Sequence, residues 1–186
     1  MLAGCRSIHW CVPTLTPSPS HRLSERMTPT PFEALREVVR PEWIDANGHL
    51  NMGYYVVAFD LATDAWLDHI GLTPAERDRS GATTFTLESH VNYLREVKEA
   101  DPLRFTTRLI AYDAKRIHYF HEMHHATGGF LAATNELMSL HVNLETRRSA
   151  PMAEDVLARL AQVLSEHETL PMPSQVGRRI GLDAKP

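Results

Sequence analysis

Between Met52 and Ile70 the apolar residues Met52, Tyr55, Val56, Phe59, Ala62, Trp66 and Ile70 recur at three- and four-residue intervals, while the segments beyond them alternate every second residue. The first spacing is that of one amphipathic α-helix and the second that of strands. Gly71 is placed to end the helix, which at 1.5 Å per residue is roughly 27 to 30 Å long, enough to cross a small sheet. The segment 32–40, "FEALREVVR", fits a strand or a short helix before Pro41 interrupts it, and we read it as a strand. "TPAERDRSG" reads as a loop. "ATTFTLESHVNYLREV" then alternates Phe85, Leu87, Ser89, Val91 and Tyr93 against Thr84, Thr86, Glu88, His90 and Asn92, and "PLRFTTRLIAYD" repeats the pattern. "AKRIHYFHEMHHA" and "FLAATNELMSLHVNL" flank "TGG"; both can be helical by composition, but the Gly-Gly turn and the alternation of Met138, Leu140, Val142 and Leu144 favour a hairpin. "APMAEDVLARLAQVLSEHETL" closes as an amphipathic C-terminal helix. The expectation is an α+β fold, an antiparallel five-stranded sheet wrapped around one long central helix.

Length sets a further bound: 186 residues suffice for one domain with a real core. Residues 1–30 are rich in Pro, Ser and Thr and read as a flexible leader, residues 31–170 as the domain, and residues 171–186 as a tail. Met27 opens the stretch just before the globular pattern and is the expected translation start. A net charge of −4 gives no general attraction to nucleic acid, so an anionic ligand must be held by a local basic cluster. No apolar run reaches the length of a membrane-spanning helix. The only cysteines, Cys5 and Cys11, cannot staple the fold, which suits a reducing cytoplasm.

Directly ahead of the helix stands "WIDANGHLNMGYY", with Asp45, Asn47, His49 and Asn51 at alternate positions around Gly48. Asn51 is an N-cap by type, and Asn47 before Gly48 favours a turn. His49 can orient Asp45, meet a substrate, or pack on the loop. Asp60, Asp64 and Asp68 form a stripe along the helix that reads as a solvated face.

That order of elements, with "DANGH" before the helix, resembles the hotdog fold, and specifically the acyl-CoA thioesterases of the 4-hydroxybenzoyl-CoA thioesterase type, over about residues 35–145. The strings "RPEWIDANGHLN", "AFDLATDAW", "FTLESHVNYLREV" and "TNELMSLHVNLETRRSAP" are similar to the betainyl-CoA thioesterases of carnitine breakdown, some of which are fused to carnitine dehydrogenase. The resemblance implies hydrolysis of a short-chain acyl-CoA, betainyl-CoA above all, with coenzyme A entering only as part of the substrate and no cofactor or metal. Asp45 and Gly48 match the family's Asp-x-x-Gly element, whose Asp is the catalytic carboxylate, and the family's carbonyl-binding amide falls on the backbone of Met52. An ionised carboxylate can attack a thioester directly or deprotonate a water, and the open N–H groups at a helix start can hold the oxyanion.

Family members assemble their sites at a dimer boundary, so a homodimer or homotetramer is expected. Glu88, His90 and Asn92 share one face of a strand and are candidates for the second wall of the site. Asn47, Asn51 and Tyr55 are candidates for substrate contact. Arg95, Lys98, Lys115 and Arg116 are the basic residues for the phosphates of coenzyme A, the last two at positions where the family carries basic residues. A quaternary ammonium on the acyl group needs rings or a carboxylate, which Tyr54, Tyr55, Trp66 and Tyr93, and Asp60, Asp64 and Glu88, can supply.

Two rival chemistries are weaker. "HEMHH" at His121–His125 matches the HExxH pattern of zinc proteases, which needs a helix to bring both His side chains to one metal; on a strand they stand roughly 13 Å apart. A dehydratase would want an acid–base pair at the helix centre, and a protein that merely binds acyl-CoA has no need of Asp45.

Overall fold

The alternating segments become five strands of a single antiparallel sheet in the computed structural model, which describes residues 30–182. In chain order these are β1 (Phe32–Val38), β2 (Ala82–Tyr93), β3 (Pro102–Tyr112), β4 (Arg116–His125) and β5 (Leu131–Asn143), arranged β1-β3-β4-β5-β2. The helices are α1 (Met52–His69), α2 (Pro74–Ser80) and α3 (Glu154–His167), with a 3-10 turn at Pro41–Trp43. The leader, with Cys5, Cys11 and Met27, lies outside the described residues. No described helix is long and apolar enough to cross a membrane.

Two expectations are corrected. The segment expected as a loop after α1 contains α2, because Thr73 accepts a hydrogen bond from the Glu76 N–H at 3.1 Å, Pro74 opens the helix, and Gly81 closes it at φ +64°. The β2 alternation also changes phase midway. A bulge between Thr86 and Glu88 inserts Leu87, which is 57% exposed, so that Thr84 and Thr86 share a face with Ser89 and Val91 rather than with Glu88 and His90.

α1 lies against β1, β3 and β4 and buries Tyr55, Ala58, Phe59, Ala62, Thr63 and Trp66. Met52 and Val56, expected on the buried stripe, flank it and are 68% and 44% exposed. The first half of α1 packs with Trp43, Leu50, Leu103, Phe105 and Met123, and the second half with Leu109, Ile117, Tyr119 and the α3 residues Val156, Leu160 and Val163. α1 therefore starts at the β3–β4 edge carrying Leu103 and Met123 and ends beside the β3–β4 turn.

One polar group sits inside this core. His121 on β4 is fully buried, its Nε2 3.0 Å from Thr63 Oγ1 on α1 and its Nδ1 2.8 Å from Thr107 Oγ1 on β3. Because the Thr63 hydroxyl donates to the Phe59 carbonyl, the His121 Nε2–H donates to Thr63, and Nδ1 accepts from Thr107. The ring is neutral, and burial drives its pKa down to about 3. A second histidine performs an edge repair: β1 pairs with β3 only as far as Thr107, and the Leu109 N–H beyond it donates to His167 Nδ1 at 2.9 Å. Burial and the neighbouring Arg108 lower the pKa of His167 as well.

The other sheet face carries the chain end. Arg108, itself buried, donates to the Leu170 and Pro171 carbonyls at 2.8 and 2.5 Å, and the Gly177 N–H donates to Glu136 Oε2 at 2.7 Å. Residues 170–177 thereby cross the outer face along the row Arg108, Phe120, Glu136.

Both histidines are neutral when folded and take up a proton when unfolded below about pH 6.5, so the unfolded state binds more protons as the pH falls. Stability is complete above that pH and is lost below it, the His121 contribution down to about pH 3. Urea unfolding between pH 7.5 and 5 is expected to show a declining free energy, approaching about 1.4 kcal/mol per pH unit for each fully coupled histidine. A free energy that is flat or rises as pH is lowered across that range contradicts the assignment.

Candidate active site

The turn before α1 is built by its own polar groups. Asp45 accepts the Gly48 N–H at its carbonyl (3.0 Å) and the Asn47 N–H at Oδ1 (2.8 Å), and its own N–H donates to the His49 carbonyl at 3.0 Å. Gly48 sits at φ +81°, in the left-handed region that a side chain disfavours. Outside the turn, Ile44 and Leu50 form an isolated bridge, the Asn51 N–H donates to the Trp43 carbonyl at 2.9 Å, and the Leu50 N–H donates to the Val97 carbonyl at 2.9 Å. The turn is thus clamped between the 3-10 turn and the loop that follows β2.

Within this frame Asp45 keeps one oxygen nearly free. Oδ1 is held by the Asn47 amide, while Oδ2 has only the Asn47 side-chain nitrogen at 3.5 Å. Asn51 caps α1, its Oδ1 accepting the Gly53 N–H at 2.9 Å. The Met52 N–H is left without a protein acceptor among the described residues, at the positive end of the helix dipole. His49 stands between two carboxylates, Nδ1 3.8 Å from Asp45 Oδ1 and Nε2 3.9 Å from Glu96 Oε2, beyond hydrogen-bond length in both directions.

Asp45, Asn47, His49, Asn51 and the Met52 amide are therefore brought into one turn. Tyr55 is not brought to its surface: at 5% exposure it belongs to the core, because it lies on the same stripe of α1 as Phe59, and burial with nearby Glu96 and Tyr93 raises its hydroxyl pKa. Glu88, His90 and Asn92 do share a face, but the outer one. They pair with Met138, Glu136 and Thr134, whereas the α1 side is set by His121, which pairs with Asn135 and through it with Val91. The strand residues turned toward α1 are Ser89, Val91 and Tyr93, and the Tyr93 hydroxyl donates to the Met52 carbonyl at 3.2 Å.

Of the basic residues, Arg95 and Lys98 lie on the loop that clamps the turn. The Arg95 guanidinium covers the Phe130 ring at 3.9 Å, and Lys98 pairs with Glu96 at 3.7 Å. Lys115 and Arg116 occupy the β3–β4 turn at the other end of α1, roughly 20 Å along β4 from Met123. There Asp113 accepts from Lys115 N–H and from Arg116, which hold its carboxyl down to about 2. The "HEMHH" residues lie on β4, with both ring nitrogens of His121 committed to threonines, and no group of three or more His, Cys, Asp or Glu side chains among the described residues is placed to hold a metal ion. Glu96 escaped the sequence reading, since nothing in "YLREV" marks one charged residue over its neighbours; only the clamp to Leu50 brings it to the turn.

The profile of the thioesterase-like superfamily matches residues 39–160. A betainyl-CoA thioesterase of Pseudomonas aeruginosa is 46% identical over 144 residues, 77% of this chain and 91% of that protein. An L-carnitine dehydrogenase/betainyl-CoA thioesterase of Rhizobium meliloti is 34% identical over 151 residues, which make up 81% of this chain and 30% of the fused protein. Among solved structures, a Staphylococcus aureus protein determined in complex with CoA superposes with a TM-score of 0.78 at 32% identity, covering 86% of this chain and 99% of that one.

The cap generates a direct expectation. Asn51→Ala removes the acceptor for the Gly53 N–H and lowers stability by about 1 kcal/mol, while Asn51→Ser retains most of it. Chemical denaturation of the three proteins measures the difference, and equal stability of Asn51→Ala and wild type contradicts the cap.

Proposed function

The chain belongs to the thioesterase-like superfamily and is an acyl-CoA thioesterase, and on that premise we propose that it hydrolyses betainyl-CoA to betaine and CoA at the turn ahead of α1. The observation that carries the site is the pairing of a half-free Asp45 carboxylate with an unoccupied backbone amide at the start of α1. The kinship with a betainyl-CoA thioesterase over nearly its whole length supports the acyl group.

In this reading Asp45 Oδ2 is the reacting oxygen. It either attacks the thioester carbon, giving a mixed anhydride that water then cleaves, or takes a proton from the water that attacks. In both routes the carbonyl oxygen becomes an oxyanion, the Met52 N–H donates to it, and its collapse expels CoA as the thiolate. One well-aimed donor of this kind lowers the barrier by roughly 3 kcal/mol. His49, between Asp45 and Glu96 but hydrogen-bonded to neither, is placed to meet the substrate beside the carboxylate. Arg95 and Lys98, on the loop beside the start of α1, meet the coenzyme's phosphates.

In this reading Lys115 and Arg116, at the far end of α1 from the turn, meet the coenzyme of a second copy, and the protein is a homodimer or homotetramer. The edge position of β2, with Leu87 open on it, is consistent with such pairing. A cytoplasmic site of action fits a substrate that carries coenzyme A.

Asp45→Asn is expected to fold as wild type and to lower kcat/KM on betainyl-CoA by about 10²- to 10⁴-fold, followed by thiol release. Wild type is expected to turn over betainyl-CoA faster than acetyl-CoA or butyryl-CoA. Retention of activity in Asp45→Asn overturns the role of the carboxylate, and equal turnover across the panel overturns the acyl assignment.

A further inference from the structure

A betainyl group places its quaternary nitrogen two bonds from the thioester carbon. Whatever receives that cation must therefore stand beside the oxyanion site, and it must do so with a ring face or a carboxylate, because the nitrogen has no proton to donate. Most of the rings named from the sequence are spent. Tyr55 and Trp66 are core residues, Tyr54 is stacked on Trp43 at 5.9 Å, and Trp43 carries the Arg40 guanidinium at 4.8 Å from its ring. The carboxylates named from the sequence are also misplaced. Asp60 and Asp64 stand two and three turns along α1 from Met52, roughly 12 and 18 Å, and Glu88 is on the outer face of the sheet.

Tyr93 and Glu96 remain. Tyr93 is 47% exposed, fixed at one end by its hydroxyl on the Met52 carbonyl and packed at a near-perpendicular 79° to the Tyr55 ring with centroids 5.1 Å apart. Glu96 lies three residues on, where the Leu94 and Arg95 N–H groups both donate to the Ala132 carbonyl and set the path of the chain. Its carboxylate faces His49 and Lys98 at 3.9 and 3.7 Å. One ring and one carboxylate thus converge on the first turn of α1.

We infer that the exposed ring of Tyr93 and the carboxylate of Glu96 form the seat for the quaternary ammonium of the acyl group; the inference rests on the thioesterase reading above. The ring offers its face to the methylated cation, and Glu96 supplies the balancing charge that a neutral acyl chain does not need. Anchoring Tyr93 to the same residue that offers the oxyanion amide couples recognition of the acyl group to placement of its carbonyl.

The test compares betainyl-CoA with 3,3-dimethylbutyryl-CoA, its neutral isostere, by the ratio of the two kcat/KM values. Wild type is expected to favour betainyl-CoA at least tenfold. Tyr93→Leu should lower that ratio by about three- to thirtyfold, Tyr93→Phe should hold it within about twofold because the ring stays, and Glu96→Gln should lower it by a smaller factor. Thermal melting of each variant separates loss of fold from loss of selectivity, and the ratio is insensitive to the fraction of active enzyme. A high wild-type ratio that Tyr93→Leu leaves intact overturns the seat alone. A wild-type ratio near one overturns the betainyl reading together with the seat.

Discussion

The hydrogen bonds that His121 makes to Thr63 and Thr107 tie α1 to the middle of the sheet. Apolar contacts around them tolerate sliding, whereas a buried ring with one donor and one acceptor is satisfied in a single arrangement. Loss of either partner leaves a polar atom stranded in the core, at a cost of about 1 to 3 kcal/mol. The axial position of α1 is thereby fixed, and with it the height at which Met52 presents its amide. The same contact explains why a histidine that matches half of a metal-binding motif is unavailable to a metal.

From that fixed helix, burial and solvation are divided between its two ends. The last turns of α1 are packed with α3 and the β3–β4 turn, and their job is burial: Trp66, Leu109, Ile117, Tyr119 and Leu160 close the core there. At the first turn the core thins, and Met52 is exposed. Polar groups that would be costly inside the protein can gather at that rim, where Asp45, His49 and Glu96 keep contact with water while the backbone beneath them is held by Trp43 and Val97. A rigid frame with a solvated edge is a reasonable place for a reaction that consumes water.

The elements with strong periodicity were legible in the sequence. The spacing of Tyr55, Phe59, Ala62 and Trp66 gave α1, Asn51 gave its cap, and the Gly-Gly turn settled β4 and β5 against their helical composition. The turn at Asp45 could be placed because its hydrogen bonds join chain neighbours. What stayed hidden depended on contacts between distant segments. The bulge at Leu87 reverses the facing of Thr84, Phe85 and Thr86 relative to the rest of β2, which a simple alternation of residue types does not reveal. Tyr55 and Tyr93 look alike on paper, and only packing makes one a core residue and the other a rim residue. α2 was missed for another reason: its capping threonine, proline and glycine were all present, but seven residues are too few to show a period.

In the proposed reaction Asp45 has to build the turn and react without undoing it, and its two oxygens make that possible. Oδ1 accepts the Asn47 amide, and the carbonyl of the same residue accepts Gly48. If Oδ2 takes a proton from water, Oδ1 becomes the carbonyl oxygen of a neutral acid and still accepts. If Oδ2 instead bonds to the acyl carbon, Oδ1 becomes a carbonyl oxygen of the anhydride and accepts as before. Either course therefore leaves the hydrogen bonds of the turn in place through the chemical step. An asparagine at this position can keep the turn by the same oxygen while losing the reacting one, so structure and reactivity at Asp45 are separable by a single atom.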